Sequence, residues 1–366
     1  MRSVIDITDL SVEELYEVID TALDIIHDPD KYREVCKGKK LAALFFEPST
    51  RTRLSFESAM LDLGGSVLSV AGAGSSSAAK GESVADTAKI VSCYADIIAI
   101  RHPLAGSAYV AAKNASIPLI NAGDGGHCHP TQTTADLLTI YRKKGGFSNM
   151  TIGLCGDLLY GRTVHSLINA MSRYPGNRYV LISPEELKLP DYMKEEMDRK
   201  GLSYQEVADL ETAIPELDIL YMTRIQRERF DDQEEYERLK DVYILTEDKL
   251  KSAKPDMTIL HPLPRVNEIS AKVDGDSRAD YFEQAYNGKY MRMALILKLL
   301  KENEEEASLV KKYGPKHFVP DYVPEGAEHV SVNEHVCKNS KCITATEQEL
   351  DQVFIGGRCL YCESKL

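Results

Sequence analysis

The sequence predicts an α/β protein, built as two domains with parallel sheets flanked by helices and followed by a small β-rich domain holding four cysteines. Three observations predict it. Apolar runs of strand length alternate with amphipathic segments through residues 41–301, the pattern of parallel sheets. The alternation comes in two sets, one on either side of a helix predicted over 131–144. Two close cysteine pairs, Cys337-x4-Cys342 and Cys359-x2-Cys362, stand near the C-terminus.

The first domain is read as follows. Ser11, with Glu14 three residues on, is a capping box for a helix over 11–26. Residues 41–46 form an apolar run with the length of a strand buried on both faces. After Glu47-Pro48, Ser49 reads as an N-cap. Phe56, Ala59, Met60 and Leu63 supply a helical apolar face, and Gly64-Gly65 stop it. A strand over 67–70 precedes the small-residue segment 71–83, whose one cation is Lys80. A helix over 84–94 and a strand over 96–100 lead into Arg101-His102-Pro103. A further helical piece leads to a strand over 118–122, which runs into the loop 123–130.

The second set repeats this grammar. Strands are predicted over 150–155, 179–183, 218–222 and 258–260, and helices up to Met171, over 192–200 and over 281–301. Polar residues gather where strands end: 49–53, Arg101, His129, 157–162, 224–226 and 261–265. Open parallel sheets bind ligands at the carboxyl ends of their strands. The recurrence of arginine there (Arg51, Arg53, Arg101, Arg162, Arg224, Arg265) points to substrates carrying several negative charges, with two domains facing one cleft. The 49–53 segment joins a strand to a helix N-terminus and adds hydroxyls and guanidiniums, a phosphate site without the glycines of a Walker loop.

Composition narrows the function classes. At 43% hydrophobic with no long apolar run, the chain predicts no transmembrane helix, and its N-terminus has no signal-peptide core, so a cytoplasmic protein is expected. A net charge of −13 opposes non-specific nucleic-acid binding, and no membrane partner is expected. Cys36, Cys93, Cys128 and Cys155 are scattered and read as buried thiols. No dinucleotide fingerprint follows the first strand, and no Gly-x-Ser-x-Gly elbow occurs. Catalysis is therefore expected from positioning and electrostatics, with Thr52, Arg101 and His129 donating to a carbonyl oxygen that gains charge. His129 reads equally well as a loop residue that merely caps the following helix.

The motifs Phe46-Glu47-Pro48-Ser49-Thr50-Arg51-Thr52-Arg53, Arg101-His102-Pro103, His129-Pro130-Thr131-Gln132, Tyr160-Gly161-Arg162-Thr163, Thr223-Arg224-Ile225-Gln226 and His261-Pro262-Leu263-Pro264-Arg265 stand in order along the chain. Together they resemble the aspartate and ornithine carbamoyltransferases over residues 1–303. His261-Pro262-Leu263-Pro264 is similar to the aspartate branch, where the ornithine branch reads His-Cys-Leu-Pro. The resemblance implies the carbamoyltransferase fold, with a carbamoyl phosphate-binding domain over 1–130 completed by 285–303, and an aspartate-binding domain over 131–284. It implies transfer of a carbamoyl group from carbamoyl phosphate to L-aspartate, in pyrimidine biosynthesis, with no catalytic cofactor. Ser49, Thr50, Arg51, Thr52 and Arg101 would hold the phosphate. Thr52, Arg101, His129 and Gln132 would hold the carbamoyl group, near Leu263 and Pro264, and Arg162, Arg224 and Gln226 would take the aspartate carboxylates. Ser76 and Lys80 match a loop that enters the neighbouring subunit's site, which implies a homotrimer with shared sites and is compatible with larger assemblies. Glu47 would pair with Arg162 and Arg229 on domain closure. Asn267 and Leu159 depart from relatives that carry Asp and Lys there. Transfer to another amino acceptor, such as ornithine, and a non-catalytic zinc-bearing scaffold are the competing readings.

In the tail, residues 304–326 are predicted as a linker and 327–366 as a zinc domain. The spacing of Cys337, Cys342, Cys359 and Cys362 predicts one structural Zn²⁺ with all four positions filled by protein. This stretch resembles the zinc domain of the regulatory chain of the same enzymes. The 35 residues between 301 and Cys337 are too few for a nucleotide-binding domain, so no nucleotide response is expected.

Overall fold

The computed structural model describes residues 2–72, 77–225, 232–313 and 329–366. It divides into two compact units, Met1–Thr131 with Lys289–Leu366, and Gln132–Gly288. The architecture is the expected α/β one, with parallel sheets flanked by helices and a small antiparallel sheet at the C-terminus.

In the first unit, β1 (Lys40–Phe45), β2 (Ser66–Ala71), β3 (Ile97–His102) and β4 (Leu119–Asp124) form a parallel sheet in the order β2-β1-β3-β4. Leu41–Phe45 are buried throughout, as a central strand covered on both faces requires. The helices are α1 (Val12–His27), α2 (Thr50–Asp62), α3 (Val84–Val91) and α4 (Ser107–Asn114). α1 opens with the expected Ser11–Glu14 capping box. The second unit holds β5 (Thr151–Cys155), β6 (Arg178–Ile182), β7 (Ser203–Val207), β8 (Ile219–Met222) and β9 (Thr258–Leu260), parallel in the order β7-β6-β5-β8-β9. Its helices include α5 (Pro130–Lys144), α6 (Arg162–Met171), α7 (Asp191–Arg199), α8 (Leu210–Ala213) and α9 (Gln233–Leu239). α10 spans Tyr281–Tyr313.

Several elements differ from the sequence expectation. β3 and β4 run two residues further than expected, so Arg101, His102 and Asp124 are strand residues rather than loop residues. β7 is an edge strand whose polar sequence, SYQEV, leaves no apolar run to read. α6 starts at Arg162 because the Tyr160 amide donates to Asp157 Oδ1 (2.8 Å) and turns the preceding segment. α10 continues to Tyr313, where a linker is expected from 304. The segment KENEEEASLVKK contains strong helix formers and no Gly or Pro. Cys93 is exposed rather than buried, just past the end of α3.

The C-terminal sheet comprises β10 (Val330–Val332), β11 (Val353–Ile355) and β12 (Arg358–Cys359). It is packed into the first unit: Cys337, Cys342, Ile343, Phe354 and Tyr361 share one buried apolar cluster with Val84 and Ala88 of α3 and Ala108 and Ala111 of α4. None of the helices among the described residues is long and apolar enough to cross a membrane.

Candidate functional site

In the first unit the expected phosphate residues sit where β1 gives way to α2. Ser49 is the N-cap residue, but its side chain makes no capping hydrogen bond, contrary to the sequence expectation. The N-terminal amides of α2 are therefore not closed off by that hydroxyl, the arrangement of a helix start that receives an anion. Arg51 is exposed and Thr52 half-buried. Arg53 pairs instead with Glu57 of its own helix (3.6 Å).

Arg101, on the last turn of β3, is the best-defined cation. Its Nη2 meets Glu47 Oε2 at 2.6 Å and its Nη1 donates to the Ala122 carbonyl (3.3 Å), while its buried Nε has no acceptor among the described residues. Burial pulls its pKa down and Glu47 opposes the shift, so the guanidinium stays charged. Gly123, at φ 117°, makes room for it: a Cβ there would lie 2.9 Å from Arg101 Nη1 and 3.3 Å from His129 Cδ2. Arg101 and His129 are thus brought together over one backbone position. Glu47, expected opposite Arg162 and Arg229, here pairs with Arg101; Arg229 lies outside the described residues.

Asp124 organises the loop that carries His129. Its buried carboxylate accepts from Asn121 Nδ2 (2.9 Å), the Cys128 amide (3.1 Å), the Gly106 amide (2.8 Å) and His127 Nδ1 (3.1 Å). Burial alone would raise its pKa; these donors and the His127 charge lower it, and His127 is raised in turn. Arg292 of α10 lies over the Phe56 ring and donates to Ser55 Oγ (3.0 Å) and Thr131 Oγ1 (3.5 Å), joining α2 to the start of α5. Lys80 ends a short 3-10 turn, Ser77–Lys80, and is exposed. Ser76 lies outside the described residues.

In the second unit Gln132 donates to Asp136 (2.8 Å), a fully buried carboxylate that also accepts from Tyr221 Oη (3.0 Å) and Gln284 Nε2 (2.5 Å). Gln284 accepts from the His261 amide (2.9 Å), so one network holds Gln132 and the 261–265 segment. His261 accepts from the Leu263 amide (2.8 Å) and faces Glu268 (2.7 Å), whose other oxygen takes the Val266 and Asn267 amides. These bonds fix Leu263, at φ 51°, and the cis Leu263-Pro264 peptide. Asn267 donates to Asp241. Arg162 opens α6 and Arg224 follows β8, both half-buried; Gln226 lies outside the described residues. Arg265 is occupied by Asp274 and Tyr281, which removes it from the expected set of ligand-binding arginines. Asp124, Asp136, Glu268 and Gln284 were invisible to motif reading, because each acts through another residue; only the Gly-Asp-Gly setting of Asp124 hints at a structural turn.

In the C-terminal sheet, Cys337, Cys342, Cys359 and Cys362 place their sulfurs within 4.8 Å of one another. The pairs Cys337–Cys362 and Cys342–Cys359 are 3.5 and 3.9 Å apart. A disulfide needs about 2.05 Å, whereas the edge of a tetrahedron of thiolates about 2.3 Å from zinc is about 3.8 Å. The donor set therefore fits a closed zinc site.

The fold is a two-domain α/β one with arginines gathered at or just past strand ends. The aspartate/ornithine carbamoyltransferase carbamoyl-P binding domain matches residues 2–142, and the Asp/Orn binding domain of the same enzymes matches residues 148–299. A curated relative, the aspartate carbamoyltransferase catalytic subunit of Clostridium novyi, is 63% identical over 299 residues, 82% of this chain and 98% of its own. The corresponding subunit of Clostridium acetobutylicum is 61% identical over 300 residues, with the same coverage of both chains. Among solved structures, the catalytic subunit of the M. jannaschii aspartate transcarbamoylase superposes with a TM-score of 0.78 at 44% identity, covering 84% of this chain and all of that one. The Trypanosoma cruzi enzyme with carbamoyl phosphate and aspartate gives 0.76 at 34% identity, covering 81% and 96%. The chain belongs to the aspartate/ornithine carbamoyltransferase family. Its activity is that of the aspartate carbamoyltransferases, a group transfer.

Proposed function

We propose that the chain carbamoylates L-aspartate, with the domain expected over 1–130 and 285–303 receiving carbamoyl phosphate and the domain expected over 131–284 receiving aspartate. The observation that supports this most is Arg101: a buried guanidinium held by Glu47, its Nε without an acceptor among the described residues, sharing the space over Gly123 with His129. Ser49, Thr50, Arg51, Thr52 and Arg101 bind the phosphate. Arg101, Thr52 and His129 polarise the carbonyl oxygen, and Gln132 orients the carbamoyl amide. Arg162, Arg224 and Gln226 take the two carboxylates of aspartate, with Leu263 and Pro264 against the carbamoyl group.

The α-amine nitrogen attacks the carbonyl carbon and a C–N bond forms. The C–O bond to phosphate then breaks, and the departing phosphate carries off the amine proton. No electron is transferred, and the product is N-carbamoyl-L-aspartate, the carbamoylated amino acid from which a pyrimidine ring is closed.

Ser76 and Lys80 reach a neighbour's site in a homotrimer. Leu54, Leu61 and Leu68, exposed at 51%, 58% and 43% on α2 and β2, give this unit an apolar face that suits a second copy. The four cysteines hold one structural Zn²⁺, which ties the C-terminal strands together and leaves no position for substrate; the module is of the regulatory-chain kind. The protein acts in the cytoplasm.

The purified chain is to be assayed with carbamoyl phosphate against aspartate and ornithine. Carbamoyl-aspartate formation with no citrulline is expected. Citrulline formation would transfer the reading to the ornithine branch, and no product from either would leave a scaffold.

A further inference from the structure

We propose that the C-terminal cysteine module is a brace built in cis for the carbamoyl phosphate site, with Glu347 as its positioning residue. The inference rests on the function proposed above. The module touches three segments of its own unit, and each of them leads into a site residue.

The first contact is at α3. Glu347 Oε1 accepts from the Val84 amide at 2.6 Å, across 263 residues of sequence. Val84 is the first residue of α3, whose N-cap, Ser83, accepts from the Asp86 amide through its side chain and from the Thr87 amide through its carbonyl. The module thus supplies a second, distant cap to the helix that terminates the segment bearing Lys80. Glu347 is 8% exposed, and its second oxygen has no partner among the described residues. Burial raises the pKa of this carboxyl, and the hydrogen bond from the Val84 amide opposes the shift.

The second contact is at Ala105 in the β3–α4 loop, four residues beyond Arg101. The Ala105 amide donates to the Lys341 carbonyl (3.0 Å) and the Ile343 amide to the Ala105 carbonyl (3.0 Å), a strand-like pairing on either side of Cys342. Next to it, Gly106 has φ 85°, and a Cβ there would lie 2.6 Å from Tyr361 Cβ. Only a glycine admits Tyr361, which also meets the Tyr109 ring edge-on at 5.6 Å.

The third contact is at the His129 loop. Glu363 lies 3.7 Å from His127 Nε2, while His127 Nδ1 faces Asp124. Glu363 is held by its own amide donating to the Cys359 carbonyl (2.8 Å), inside the cysteine knuckle. Asp124 in turn accepts from the Gly106 amide, so the second and third contacts meet at one carboxylate.

The contacting residues follow or flank the cysteines: Lys341 and Ile343 flank Cys342, and Tyr361 and Glu363 flank Cys362. A metal bound at the four thiolates fixes their backbone and thereby the loops they hold, in keeping with the general coupling of metal binding to local folding. The expected consequence is tighter binding of phosphate and carbamoyl phosphate, with no change in the acceptor half of the reaction.

The test uses the full-length protein and the variants Glu347→Ala and Glu347→Gln, with zinc per chain measured by mass spectrometry. Inorganic phosphate is titrated calorimetrically, and KM is measured for both substrates. Loss of a buried cap predicts that Glu347→Ala weakens phosphate binding and raises the KM for carbamoyl phosphate about tenfold, while kcat and the KM for aspartate stay within about twofold. Amide exchange at Val84 accelerates in the same variant. Glu347→Gln keeps an acceptor for Val84 and returns phosphate affinity to within about threefold of wild type. Chelation of the metal gives the same loss of phosphate affinity and faster exchange at Ala105 and Gly106. Unchanged phosphate affinity in Glu347→Ala overturns the brace, whatever chelation does to folding. Absence of zinc from the purified chain refutes the metal's part alone, and absence of carbamoyltransferase activity with phosphate still bound refutes the proposed function but not the brace.

Discussion

Arg101 shows how a buried cation is held near the end of a strand. A guanidinium cannot shed its charge, so burial must be offset by partners, and Glu47 and the Ala122 carbonyl supply two of them. Its Nε has no acceptor among the described residues. Replacing Arg101 by Ala removes both the phosphate charge and an oxyanion donor, and kcat/KM should fall by at least about 100-fold in a steady-state assay. Its neighbour His102 makes a different prediction. Burial pushes its pKa down to about 4, so the ring is neutral in the folded chain at neutral pH, where its Nδ1 accepts from the Leu104 amide. The unfolded chain takes up the proton near pH 6.5, and between there and about 4 the unfolded state binds more protons. Stability therefore falls as pH drops through that window, by up to about 3 kcal/mol from this residue. His102→Phe should flatten the loss in denaturant titrations run from pH 7 to pH 4.

At the scale of elements, the strand ends decide what the loops can do. β3 and β4 extend two residues past their apolar runs, and those extra residues are Arg101, His102, Gly123 and Asp124. β4 closes on Gly123 at φ 117°, a conformation that a side chain rarely adopts. Gly123→Ala would both strain that backbone and drive a methyl against Arg101 and His129. The variant should fold, with phosphate affinity by calorimetry lowered about tenfold or more, since a displacement of one ångström is enough to cost that much. Asp136 plays the matching part in α5, gathering Gln132, Tyr221 and Gln284 about one buried carboxylate.

For the whole molecule, the open question is which copies build a site. The segment carrying Lys80 leads into α3, and Leu54, Leu61 and Leu68 of the same unit are exposed. If Lys80 serves the adjacent subunit, Lys80→Ala and Arg51→Ala chains are each inactive alone. Random mixed trimers then rebuild about a quarter of their sites, because a competent site needs one chain of each kind in the right order. Activity that stays at the parental level after subunit exchange would place Lys80 and Arg51 in the same subunit's site.

The sequence by itself determined the α/β class, the order of most strands and helices, the strand-to-helix junction that opens α2 and the four-cysteine set. These depend on local pattern: apolar runs, caps, and residue types that keep their chemistry wherever they are placed. Tertiary structure decided the rest. Ser49 stands at the N-cap without making the capping hydrogen bond, Arg265, one of the six strand-end arginines, pairs with Asp274, and the acidic run after 301 is helical to Tyr313. β7 could not be read because an edge strand needs no apolar alternation. Asp124, Asp136 and Glu347 carry no motif, since each works by accepting from amides or side chains distant in sequence. Such partners become neighbours only when the sheets form, and burial then makes an unpaired donor costly enough to fix every loop around them.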